Sequence, residues 1–103
     1  MYKGTTPTFT LTLPEEVDLT TAQNVYVTFE KGKKELRKTG DDLVITAHQV
    51  EVYLSQEETL SFPSGDVALQ LNWTYQDGGR IKRAASNIVS VSMKTNLEDR
   101  VLD

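Results

Sequence analysis

Three pairs of neighbouring acids, Glu15-Glu16, Asp41-Asp42 and Glu57-Glu58, are the residues whose types and spacing could do chemistry. Glycoside hydrolysis needs two carboxyl groups facing each other across a cleft, and neighbours along a chain do not normally do so. A calcium loop needs acidic ligands at EF-hand spacing, which this chain lacks. The pairs therefore read as solvated loop residues. His48 is the single histidine and there are no cysteines. That excludes disulfides, thiolate zinc sites and cysteine nucleophiles, and leaves His48 as a solvated turn residue.

Other motifs are equally weak. The basic run KGKKELRK (31–38) has none of the aromatics that single-strand binders interleave with charge. Asn72-Trp73-Thr74 fits a glycosylation sequon but falls inside a predicted strand. Gly78-Gly79 has no helix after it and is a hairpin turn rather than a phosphate loop. No catalytic, cofactor-binding or metal-ligating residue is assigned, and a non-enzymatic protein without a cofactor is expected.

The elements that would position any site are strands. Alternation of apolar and polar residues marks TFTLTL (8–13), NVYVTFE (24–30), QVEVYL (49–54), GDVALQLNWTY (65–75) and NIVSVSMK (87–94). Each reads as a strand buried on one face. KKELRKT (33–39), with Leu36 as its apolar anchor, is an exposed or edge strand. DLVITA (42–47) pairs with 49–54 as a hairpin. Turn residues separate these runs at Lys31-Gly32-Lys33, Gly40-Asp41-Asp42 and Asp77-Gly78-Gly79. Between the fifth and sixth strands, Ser55-Gln56-Glu57-Glu58 is a capping box that starts one helical turn, with Leu60 and Phe62 directed at the core.

Seven antiparallel strands with a capped turn between the fifth and sixth predict an all-β, immunoglobulin-like β-sandwich over residues 1–94, followed by a C-terminal tail, 95–103. A chain of 103 residues with 38% apolar and 25% charged residues is sized for one thin-cored domain. No apolar run approaches the ~20 residues of a membrane span, and the first residues lack the apolar segment of a signal peptide. Synthesis in the bacterial cytoplasm is expected, with no membrane partner. The net charge of −4 argues against nucleic acid.

Three segments taken together carry a resemblance: DLTTAQNVYVTFEKGKKEL (18–36), VEVYLSQEETLSFPSGDVALQLNW (50–73) and ASNIVSVSM (85–93). They resemble small proteins encoded among the tail genes of prophages in gut Firmicutes and, more distantly, the N-terminal domain of phage upper-baseplate proteins. The resemblance implies a tail or baseplate assembly component, a structural protein incorporated in a virion and acting by protein–protein contacts. It carries no catalytic residues.

Two partner surfaces are expected. If the strands alternate up and down, the acidic loops with Glu57 and Glu58 fall at one end, and Lys31, Lys33 and Arg80 at the other. Head-to-tail self-association would then be guided by charge. The first, sixth and seventh strands are also expected to lie side by side. They would present Thr8, Thr10, Thr12, Gln70, Asn72, Thr74, Ser90 and Ser92 as one uncharged face. An alternative function is a carbohydrate-binding or adhesive module for host recognition. It would use exposed aromatics, for which Tyr26 and Tyr53 are better placed than Trp73, whose parity puts it in the core.

Overall fold

The computed structural model describes all residues from Met1 to Asp103. The chain is all-β, with two antiparallel sheets, a single short α-helix and two 3-10 turns at Leu19–Thr21 and Gly40–Asp42. Eight strands follow one another: β1 (Thr8–Thr12), β2 (Asn24–Lys31), β3 (Lys34–Thr39), β4 (Leu43–Ile45), β5 (Gln49–Tyr53), β6 (Gly65–Asp77), β7 (Arg80–Ala85) and β8 (Val89–Met93). The three-stranded sheet runs β1-β5-β4. The larger sheet runs β3-β2-β6-β7, with β8 also paired to β6.

One strand more than expected is present because the last predicted strand is only half of a longer one. β7 pairs with the end of β6, from Asp77↔Arg80 to Asn72↔Ala85, and β8 pairs with its start, from Leu69↔Val89 to Gly65↔Met93. Two residues of β6 thus face three, Ser86 to Ile88, so the break is a bulge. Ser86 keeps the ladder satisfied across it. Its N–H donates to the Leu71 carbonyl at 2.8 Å, and its hydroxyl accepts from the Leu71 N–H at 3.0 Å. The sequence RIKRAA gave no sign of β7. Its apolar residues do not alternate, because an exposed edge strand needs no apolar face.

The hairpin glycines behave as expected. Gly78 and Gly79 have φ of 58° and 81°, as the tight β6–β7 turn requires. The inner faces of both sheets contribute to one core. Val25, Val27, Phe29, Val67, Leu69, Leu71, Trp73 and Met93 come from the larger sheet, and Leu43, Val50 and Val52 from the smaller. Leu54 and Phe62 close it from the β5–β6 connection.

That connection holds α1 (Gln56–Ser61). The capping box forms: the Glu58 N–H donates to Ser55 Oγ at 3.2 Å, and the Ser55 N–H donates to Glu58 Oε1 at 2.8 Å. Phe62 is fully buried, as expected, whereas Leu60 is only half-buried against Gly4. The buried helical residue is instead Thr59. A six-residue helix lying along the chain's first residues buries the position that faces them, and that face carries Thr59. Its hydroxyl accepts from the Gly4 N–H at 2.9 Å and donates to the Thr5 carbonyl at 2.8 Å.

The first residues and the C-terminal segment are both tied down. Met1–Lys3 runs beside the end of β8, with the Lys94 N–H donating to Met1 and the Lys3 N–H donating to Lys94. Residues 95–103 contain no regular element, yet Gln56 clamps Leu102 through both its N–H, at 2.7 Å, and its carbonyl, at 2.9 Å.

Candidate functional site

The two surfaces expected from the sequence are rearranged by the topology. β1 pairs with β5, not with the last strand. Thr8, Thr10 and Thr12 are exposed, but on the smaller sheet beside Tyr53, Glu51 and Gln49. Only the first residues, through Tyr2↔Lys94, reach the end of the strand that β1 was expected to join. Gln70, Asn72, Thr74, Ser90 and Ser92 do share the outer face of the larger sheet, where parity places them opposite the buried Leu69, Leu71 and Trp73.

The expected separation of charge between two ends does not occur. The Leu19 N–H donates to Ala47, and His48 Nδ1 lies 2.6 Å from the Val17 carbonyl. The β1–β2 and β4–β5 connections therefore meet at one end. Glu16 and Asp18 line a depression there with Tyr75 and Ala84 of the β6–β7 hairpin. At the other end Lys38 pairs with Glu58 at 2.7 Å, Lys34 sits 5.9 Å from the Phe62 ring, and Lys31 lies over Gly65. The cause is directional. The ladders, with the end of β1 set beside the Trp73 half of β6, make β3 and β4 run the same way. Strict up-and-down alternation fails at that crossing, so both ends mix acids with bases.

Several chemical candidates are accounted for by this packing. His48 is half-buried and donates from Nδ1 to Val17, so it pins a loop rather than standing free in solvent. Glu57 is exposed, Lys33 occupies the β2–β3 turn and Arg80 opens β7. Asp18 caps the turn at Leu19–Thr21, and hydrogen bonds from the Thr20 side chain and N–H hold its carboxyl below the usual range.

Glu58 binds within the chain. Burial raises its pKa, but the Lys38 ammonium, the Ser55 N–H and the Ser55 side chain together hold the carboxyl below the ordinary glutamate value. A depressed native pKa means that the ionised form contributes stability in full above the ordinary glutamate range. That contribution is lost as pH falls through the folded value. The difference in stability between the wild type and Glu58→Gln should therefore shrink as pH falls from neutral to about 3. Denaturation midpoints against pH check this, and parallel profiles would refute it.

The arrangement with the clearest binding character lies on the outer face of the larger sheet. Four strands place side chains there in register: Arg37 opposite Thr28, Thr28 opposite Gln70, Tyr26 opposite Asn72, and Thr74 opposite Arg83. Tyr26, Thr28, Arg37, Asn72, Thr74 and Arg83 line a depression of about 340 Å³. The Arg37 guanidinium is 5.3 Å from the Tyr26 ring centroid, a cation–π contact. Arg83 Nε donates to Asn72 Oδ1 at 3.1 Å. Beyond Gln70 the face continues through Ala68 to Ser90 and the exposed Ile88. Sequence reasoning found Gln70, Asn72 and Thr74 but missed both arginines. They sit on different charged strands, and only the order β3-β2-β6-β7 brings them to one surface.

Comparison with protein-family models, with curated proteins and with solved structures returned no match to this chain. No helix is long and apolar enough to cross a membrane.

Proposed function

We propose that this chain is a non-enzymatic structural component of a phage or prophage tail or baseplate. It is built as an immunoglobulin-like sandwich and acts by protein–protein contacts. The strand order supports the fold reading. The smaller sheet, β1-β5-β4, corresponds to the B-E-D order of such domains. The larger, β3-β2-β6 followed by β7 and β8, corresponds to a C-F-G sheet with one added edge strand. Trp73 on β6 and the absence of cysteines depart from the antibody pattern.

The observation that carries the functional reading is the outer face of the larger sheet. Its middle holds Thr28, Ala68, Gln70, Ile88 and Ser90, with the exposed Glu30 opposite Ala68 at its β2 side, and interfaces are depleted of charge at their centres. A carbohydrate-binding role would need a pair of exposed aromatics on one surface. Trp73 is buried, and Tyr26 and Tyr53 lie on different sheets.

The test is mass spectrometry of purified particles induced from the source strain, together with deletion of the gene. The chain should co-purify with tails at fixed stoichiometry, and its loss should block tail formation. Infectious particles that lack it would overturn the proposal.

A further inference from the structure

The depression between Arg37 and Arg83 has the donors of an oxyanion site and no anion from its own chain. The molecule's three ion pairs are Lys38–Glu58, Lys82–Asp77 and Arg100–Glu98, so neither arginine has a carboxylate partner. Arg37 makes no hydrogen bond and is oriented by the Tyr26 ring. Arg83 is anchored through Nε alone, which leaves its terminal nitrogens as donors. The nearest acids on this face, Glu30 and Glu35, oppose each other one row beyond Thr28 and Arg37, outside the depression.

A second, independent feature points to a ligand. Thr74 Oγ1 is the one buried side-chain oxygen in the molecule without a hydrogen-bond partner, and Thr74 lines this depression as the cross-strand neighbour of Arg83. A buried hydroxyl left unpaired is destabilising, and a hydrogen-bonding group seated in the depression would satisfy it.

We infer that this depression is a carboxylate-binding site for an acidic peptide segment of a partner protein. Arg37 and Arg83 grip the carboxylate from its two sides, and Asn72 and Thr74 supply neutral hydrogen bonds. Planar guanidinium groups match carboxylates with paired N–H donors. The depression opens on the sheet face beside Gln70, Ala68 and Ile88, and so suits an extended peptide with a carboxylate at one end of its footprint. The inference rests on the reading of this sheet face as a partner surface.

The test is a titration of isotopically labelled protein, followed by NMR, with a capped hexaglutamate peptide. A hexaglutamine peptide and inorganic phosphate are run beside it. Saturable shifts confined to Tyr26, Thr28, Arg37, Asn72, Thr74 and Arg83 are expected with hexaglutamate. Affinity should be at least about tenfold weaker in Arg37→Gln/Arg83→Gln, the loss of two charge-assisted bonds. Both arginines are exposed, and the unchanged remainder of the variant's spectrum reports that it is folded. No saturable shifts, equal binding of hexaglutamine, equal binding by the variant, or saturation by phosphate alone would each overturn the inference. Any of these would leave the presence of the chain in tail particles, measured separately, unaffected.

Discussion

Phe29→Ala should destabilise the protein by about 3–5 kcal/mol, the usual cost of truncating a buried phenylalanine. Phe29 is fully buried in the middle of the core, on β2 of the larger sheet. Its ring meets that of Phe9, from β1 of the smaller sheet, at 5.8 Å between centroids and a 52° tilt. This aromatic pair therefore bridges the two sheets. A domain of this size loses about 4–8 °C of melting temperature per kcal/mol, so Tm should fall by at least about 12 °C. Since small domains are stable by only about 5–15 kcal/mol, the variant will be close to unfolding at 37 °C. A double-mutant cycle with Phe9→Leu and Phe29→Leu should return a coupling of about 0.5–1.5 kcal/mol. A cost below about 1 kcal/mol for Phe29→Ala would mean that the sheets do not pack face to face at this position.

Thr59→Val should cost about 1–3 kcal/mol although it keeps the side chain's shape. The hydroxyl of Thr59 joins α1 to the first residues by accepting from Gly4 and donating to Thr5. Valine leaves the Gly4 N–H and the Thr5 carbonyl without that partner while remaining fully buried. Thr59→Ser keeps both bonds and removes only a methyl group, so it should be the milder change. Amide exchange at Gly4 gives a local readout and should accelerate in the valine variant but not in the serine variant. A valine protein as stable as the wild type would show that the contact between α1 and the first residues does not hold the fold together.

Much of the fold was legible in the chain because its signals are local. Alternation placed five strands to within a few residues, since a strand buried on one face must repeat every second residue. Ser55 and Glu58 announced the helix start by their spacing, strand parity put Trp73 inside, and Phe62 was read as core after the capped turn. Thr59 was not legible. A threonine between Glu58 and Leu60 reads as a solvent position until the segment from Gly4 to Thr5 is laid across it. β7 was missed because Arg80, Lys82 and Arg83 resemble a charged loop, and only pairing with β6 makes them a strand.

The sequence by itself determined that this is an all-β chain, where its turns fall, and which face of each alternating strand is apolar. These follow from backbone periodicity and side-chain transfer to a core, both of which act over a few residues. The tertiary structure decided which strands are neighbours, which way β4 runs and which charges meet. Pairing β1 with β5 moved Thr8, Thr10 and Thr12 to the smaller sheet. Running β3 and β4 in the same direction brought Lys38 to Glu58 and removed the charge separation. The order β3-β2-β6-β7 gathered Arg37, Tyr26, Asn72 and Arg83 on one surface. Partner choice between strands is a long-range competition among ladders with similar local patterns, and packing of the shared core settles it rather than any single segment.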